Sequence, residues 1–206
     1  VSNNYNYYIY SNSVKIAKIV ITIFAIRFKI CCFPFIIEKI ILGVINMKVI
    51  TITNQKGGVA KTTTAAALGF GLAEMGYKVL FVDTDAQCNL TETVYPVDEH
   101  GNIKYDFDKT IFELMLRECK VEDTICHSKY DRVDIIPASI YLTEIDMRLV
   151  TAIRRENIIA DALMAVQNDY DFCVIDTPPS LGWMTINAIV ASDYLIIPTF
   201  TEKFSL

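Results

Sequence analysis

The chain has 206 residues, enough for one domain with a sizeable buried core. Its net charge of −5 excludes a basic field spread over the whole domain, so contact with nucleic acid would need a local patch. The six cysteines, at positions 31, 32, 88, 119, 126 and 173, include no Cys-x-x-Cys pair, which excludes a zinc knuckle or a thioredoxin-type motif. They read as reduced thiols, with Cys173 in a strand core.

Residues 1–46 differ from the rest of the chain, being dominated by Ile, Asn, Tyr, Lys and Phe with no steady period. Residues 16–26 are apolar except Lys18 and Thr22, but Arg27 and Lys29 stop the run short of the roughly 20 residues that a membrane span needs. Cys31-Cys32-Phe33-Pro34 is a poor signal-peptide cleavage site. Lys15, Lys18, Arg27, Lys29 and Lys39 against Glu38 put +4 in this leader, so residues 47–206 carry −9 to give the net −5. Met47 stands directly before the first predicted strand. The leader therefore reads as upstream sequence translated from an early start, with a membrane-associating segment as the alternative, and the domain as 47–206.

Residues 48–64, KVITITNQKGGVAKTTT, organise the rest. Val49-Ile50-Thr51-Ile52-Thr53 has the β-branched composition of a buried strand. Gly57 and Gly58 break it, Lys61-Thr62-Thr63 comes next, and an Ala- and Leu-rich helix is predicted from 62 to 75, closed by Gly76. Strand, glycine turn, Lys-Thr and helix together predict a phosphate-binding loop. Consecutive backbone N–H groups form an anion nest, and the helix N-terminus adds about half a positive charge. In such a loop Lys61 reaches the β- and γ-phosphates and the Thr62 hydroxyl ligates Mg²⁺. Gln55 and Ala60 occupy the two positions where the plain pattern G-x-x-x-x-G-K-[ST] has glycine. Ala60 is expected in the right-handed region as the start of the helix, because a left-handed non-glycine residue costs roughly 1–2 kcal/mol.

A second strand is predicted at 78–83, ending in Asp83-Thr84-Asp85-Ala86-Gln87-Cys88-Asn89. Ligands of open α/β sheets bind beyond the carboxyl ends of strands, so both aspartates are site candidates, with capping of the next helix as the alternative. Residues 94–109 read as a loop and 110–118 as a short helix. His100 and His127 read as isolated surface residues. Residues 133–138 form a third strand and 142–166 a helical stretch of one or two pieces, with Arg154-Arg155 on a solvated face. Phe172-Cys173-Val174-Ile175-Asp176 is an apolar strand ending in a carboxylate, the arrangement that holds Mg²⁺ in phosphate-transfer sites. Thr177-Pro178-Pro179-Ser180, a helix over 181–191 and a strand over 193–198 complete the reading.

With its second lysine, Lys56, the stretch K-G-G-V-A-K-T is the deviant Walker A form and resembles the ParA/MinD family of ATPases. NQKGGVAKTTT, DTDAQCN and YDFCVIDTPPSLG are most similar to its ParA (Soj-like) partition branch, with Ala86 in place of the usual proline. The resemblance implies a doubly wound, mostly parallel α/β sheet of the P-loop NTPase class, incomplete at the C-terminus, binding ATP and Mg²⁺. It implies that Lys56, Gly57, Gly58, Val59, Ala60, Lys61, Thr62 and Thr63 cradle the phosphates, Lys56 crossing to the nucleotide of a partner subunit. Asp176 and Thr62 would hold the metal, Asp83 would support that shell and Asp85 would position the attacking water. Pro178 would face the γ-phosphate, and Pro198, in the family's P-x-x-x-E segment ending at Glu202, would lie near base and ribose. The partners implied are a second copy bound with ATP, a ParB-like stimulating protein and nonspecific DNA, in the cytoplasm on the nucleoid, with no stable membrane insertion. A MinD-like membrane-cycling ATPase and a non-catalytic nucleotide-binding fragment are the alternatives.

Overall fold

The computed structural model describes residues 4–11, 23–24, 46–95 and 107–200. Most of the expected 94–109 loop, His100 and Glu202 lie outside these residues.

The strands are β1 (Asn4–Ser11), β2 (Ile23–Phe24), β3 (Lys48–Ile52), β4 (Val79–Asp83), β5 (Cys126–His127), β6 (Val133–Ile136), β7 (Phe172–Asp176) and β8 (Tyr194–Phe200). They form one sheet in the order β2-β1-β8-β3-β7-β4-β6-β5. The five central strands, β8 to β6, run parallel, while the edge pairings β2–β1, β1–β8 and β6–β5 are antiparallel. β1 lies along β8 from Tyr5 opposite Phe200 to Ser11 opposite Tyr194, so residues 4–11 of the leader form part of the sheet.

The helices are α1 (Lys61–Glu74), α2 (Asn89–Val94), α3 (Ile111–Met115), α4 (Ile145–Arg148), α5 (Ile158–Leu163) and α6 (Trp183–Ala191). They cover both faces of the sheet, which is why the central strands carry buried apolar residues on both faces instead of alternating apolar and polar. Period 2 shares the side chains out: Val79, Phe81, Phe172 and Val174 pack under α1 and α2, whereas Leu80, Val82, Cys173 and Ile175 pack under α3, α5 and α6. α1 approaches closely because Gly69 has no Cβ; one would fall 2.1 Å from the Phe81 ring.

The predicted helix over 62–75 is α1, shifted by one residue, and Gly76 follows it at φ +96. Within 110–118 the helix is α3, started by a capping box between Thr110 and Glu113. The stretch 142–166 is broken further than two helical pieces. A 3-10 turn (Ile140–Glu144) runs into α4, and a second 3-10 turn (Arg155–Asn157) runs into α5. Arg154, at φ 53, is left-handed and cannot continue a right-handed helix. Arg155 is correspondingly not on a solvated helix face: its guanidinium lies over the Trp183 ring and donates to the Leu149 and Val150 carbonyls. His127 is exposed, and its Nδ1 lies 2.8 Å from Asp134 Oδ1.

Candidate functional site

The candidate site lies at the carboxyl ends of β3, β4 and β7. Parallel register puts Ile52 beside Asp176 and Asp83 beside Asp176, so one end of the sheet collects the glycine loop and both strand-ending carboxylates. Threonine hydroxyls stitch these ends together. Thr177 Oγ1 donates to the Ile52 carbonyl at 2.9 Å, and Thr84 Oγ1 to the Asp176 carbonyl at 2.6 Å. Sequence reasoning missed both residues, although each is the threonine directly after a strand-ending aspartate.

Asn54 shapes the loop that leaves β3. Its Oδ1 accepts the Lys56 N–H at 2.9 Å and its Nδ2 donates to the Pro198 carbonyl at 2.8 Å, tying the loop to β8. Lys56, Gly57 and Gly58 are exposed and Val59 is buried beneath them. Gly58 is left-handed at φ 72, as is Ala60 at φ 62. The expectation for Ala60 is therefore overturned: α1 starts at Lys61, and Ala60 is a left-handed N-cap with no capping side chain. The loop needs this conformation where the plain pattern has glycine, at a strain of roughly 1–2 kcal/mol. It is held there through its carbonyl, which accepts both the Thr64 N–H (2.9 Å) and the Thr64 hydroxyl (2.7 Å).

Lys61 is buried at the head of α1, and its Nζ donates back to the Lys56 carbonyl at 3.4 Å. Burial lowers its pKa, while the charges of Asp176 and Asp85 oppose that shift. Thr62 Oγ1 donates to Asp176 Oδ2 at 2.6 Å. Asp176 Oδ1 is buried without a hydrogen-bond partner. An orphaned carboxylate oxygen beside a threonine hydroxyl is the oxygen-donor set that a hard divalent cation takes, so these residues fit Mg²⁺. Burial, with Asp83 adding repulsion, pushes Asp176 up to about 7.

Asp83 behaves differently. Its Oδ2 accepts both the Thr91 N–H and the Thr91 hydroxyl at 2.8 Å, and its Oδ1 accepts the Asp85 N–H at 3.1 Å. It thus anchors α2, whose own N-cap, Cys88, gives no side-chain cap. Burial pushes its pKa up to about 6. Asp85 is partly exposed; its Oδ1 accepts the Gln87 N–H at 3.0 Å. Thr63 is exposed, Pro178 is half-buried and Pro198 is buried in β8.

The unit of strand, glycine loop, Lys-Thr and helix, with an aspartate ending the adjacent parallel strand of a doubly wound sheet, defines a P-loop NTPase fold. Within that class the particular family is set by a match over residues 47–206: the chain belongs to the AAA domain family AAA_31. It is 43% identical over 159 residues to the sporulation initiation inhibitor protein Soj of Bacillus subtilis, covering 77% of this chain and 60% of Soj. A Borrelia burgdorferi plasmid partition protein bound to AMPPNP superposes with a TM-score of 0.69 at 32% identity, over 77% of this chain and 65% of that one. Cobyrinic acid a,c-diamide synthase from Mycobacterium smegmatis, with a bound ATP analogue and magnesium, gives 0.64 at 34% identity over 71% and 57%. The chain thus spans roughly 60% of the length of these relatives.

Proposed function

We propose that the chain is the nucleotide-binding part of a Mg²⁺-dependent ATPase that acts as an ATP-gated dimeric switch in partitioning plasmid or chromosomal DNA. The observation that carries this reading is the bare, buried oxygen of Asp176 beside the Thr62 hydroxyl, under a glycine loop and next to Lys61. The similarity to the AMPPNP-bound Borrelia plasmid partition protein supports ATP as ligand and partition as role. Family membership over 47–206 supports Met47 as the start of the ATPase domain, to which β1 adds a strand along β8.

In this reading the amides of residues 57–61 and the Lys61 ammonium bind and neutralise the phosphates. Thr62 and Asp176 would hold the metal, which when bound would offset the negative charge developing on the phosphates. Asp85 holds the attacking water at the γ-phosphate. Asp83 serves that shell by anchoring the chain that carries Asp85. Pro178 stiffens the loop facing the phosphate, and Pro198 helps seat the base. Lys56 reaches the nucleotide of a second copy, so that ATP joins two subunits and hydrolysis releases them. A ParB-like protein would stimulate turnover, and nonspecific DNA would hold the dimer on the nucleoid in the cytoplasm. No helix among the described residues is long and apolar enough to cross a membrane.

Light scattering of the full chain with Mg²⁺ and a non-hydrolysable ATP analogue tests the switch. The parent is expected to dimerise only with nucleotide, and Lys56→Ala to bind nucleotide yet stay monomeric. Dimerisation of Lys56→Ala at the parental level would remove the cross-subunit role.

A further inference from the structure

Helix α6 follows the Asp176 loop and has no cap of its own: Gly182 is its N-cap and supplies no side chain. The acceptor comes from α4. Asp146 Oδ1 accepts the Trp183 N–H at 2.8 Å, across 37 positions of sequence. Gly182 makes room for it, since a Cβ there would lie 2.6 Å from Asp146 Oδ2. The Arg155 guanidinium sits 4.0 Å from the centre of the Trp183 ring. Asn187 completes the clasp, its Nδ2 donating to the carbonyls of Arg155 (2.7 Å) and Trp183 (2.9 Å). Two charged side chains from the broken 145–157 stretch thus grip the first turn of α6.

Only residues 177–182 separate Asp176 from that turn. Thr177 ties the loop to β3 at one end. Thr185 Oγ1, donating to the Ser180 carbonyl at 2.7 Å, ties it at the other. Pro178 and Pro179 have fixed φ, so the loop's remaining freedom is concentrated at 180–182, the segment that Asp146 closes.

We propose that Asp146, seconded by Arg155, is a positioning residue for the metal-and-phosphate site, acting through α6 and the 177–182 loop. This rests on the ATPase reading above. A carboxylate accepting at a helix N-terminus gains from charge assistance and from the helix dipole. Without it the first turn frays and the loop loses its fixed exit. An ångström-scale displacement is enough to slow a reaction that depends on positioning. The β3 loop and Lys61, which grip the nucleotide, stay in place, so turnover suffers and binding does not.

The test combines steady-state ATP hydrolysis with the fluorescence of Trp183, the single tryptophan of the chain. Asp146→Ala is expected to lower kcat about tenfold with KM within about twofold, and to shrink the nucleotide-induced change in Trp183 emission. Asp146→Asn should restore most of both, because its amide oxygen still accepts the Trp183 N–H and lacks only the charge. Gly182→Ala should reproduce the Asp146→Ala defect by pushing a methyl against the carboxylate, and it carries the comparison alone if Asp146→Ala does not fold. An Asp146→Ala protein that melts earlier but keeps parental kcat and Trp183 response overturns the proposal, as does an Asp146→Asn protein as defective as Asp146→Ala. A parent chain that neither binds nor hydrolyses ATP overturns the ATPase reading itself, and the positioning role with it.

Discussion

Asp83 and Asp176 stand side by side at the ends of β4 and β7, each buried and each followed by a threonine, yet their carboxylates end differently. Three protein donors fill Asp83. Asp176 receives one side-chain donor and keeps an oxygen with none. Burial is therefore not what separates an anchoring carboxylate from the one proposed to take a ligand. The number of acceptor sites left unfilled separates them.

The sharpest way to break that contrast is to exchange the losses. Asp176→Ala should abolish Mg²⁺-dependent nucleotide binding, a drop of at least about a hundredfold by calorimetry, while leaving the metal-free fold about as stable as before. Asp83→Ala should do the reverse. It takes away the acceptor of the buried Thr91 N–H and hydroxyl and should cost about 3 kcal/mol in urea unfolding. Equal destabilisation by the two substitutions would end the distinction. Lys61→Ala should likewise abolish stable ATP binding, whereas Asp85→Ala should still bind ATP and lose turnover. Hydrolysis by Asp85→Ala at the parental rate would remove the water-positioning role.

The pH dependence sharpens the same contrast at smaller amplitude. Both aspartates have folded pKa values raised above the ordinary carboxylate value of 3.8, so the folded state favours their protonated forms. Their contribution to stability is full below that value and is lost as pH rises through about 6 and about 7. The metal-free protein should therefore unfold at lower urea as pH is raised from about 4 to about 7, with a shallower slope in Asp176→Asn. A Mg²⁺-saturated sample should lose the Asp176 part of that slope, because a bound cation favours the ionised form. The smallest expected change is at the loop: Ala60→Gly should stabilise the fold by about 1 kcal/mol, measured by thermal unfolding, by removing the left-handed strain.

Much of this is legible in the residues. Val79 to Asp83 and Phe172 to Asp176 can be read as strands buried on both faces, because such strands are apolar throughout and end in a carboxylate. The glycine loop, Lys61 and Thr62 are legible as a spacing. Ala60 departs from its expected conformation because propensity speaks for the isolated residue, whereas the loop's closure and the two bonds from Thr64 impose the left-handed one. Arg155 and Asp146 are invisible for another reason. Their partners, Trp183 and its amide, lie tens of residues away, and no local period announces a clasp of that reach. Thr84 and Thr177 are present as a repeated Asp-Thr, but only the parallel register shows that each hydroxyl bridges to the next strand.

The sheet order also has a consequence for synthesis. Both neighbours of β3, β7 and β8, come from residues 172–200, so the strand that carries the phosphate loop stays unpaired on both sides until they have been made. At translation speeds of about 5–20 residues per second, that wait is on the order of ten seconds. Throughout it Val49, Ile50 and Ile52 are an open β-branched edge, the kind of segment that chaperones exist to shield. Until β7 arrives, Asp176 cannot meet Thr62, and the pair proposed to hold the metal is incomplete.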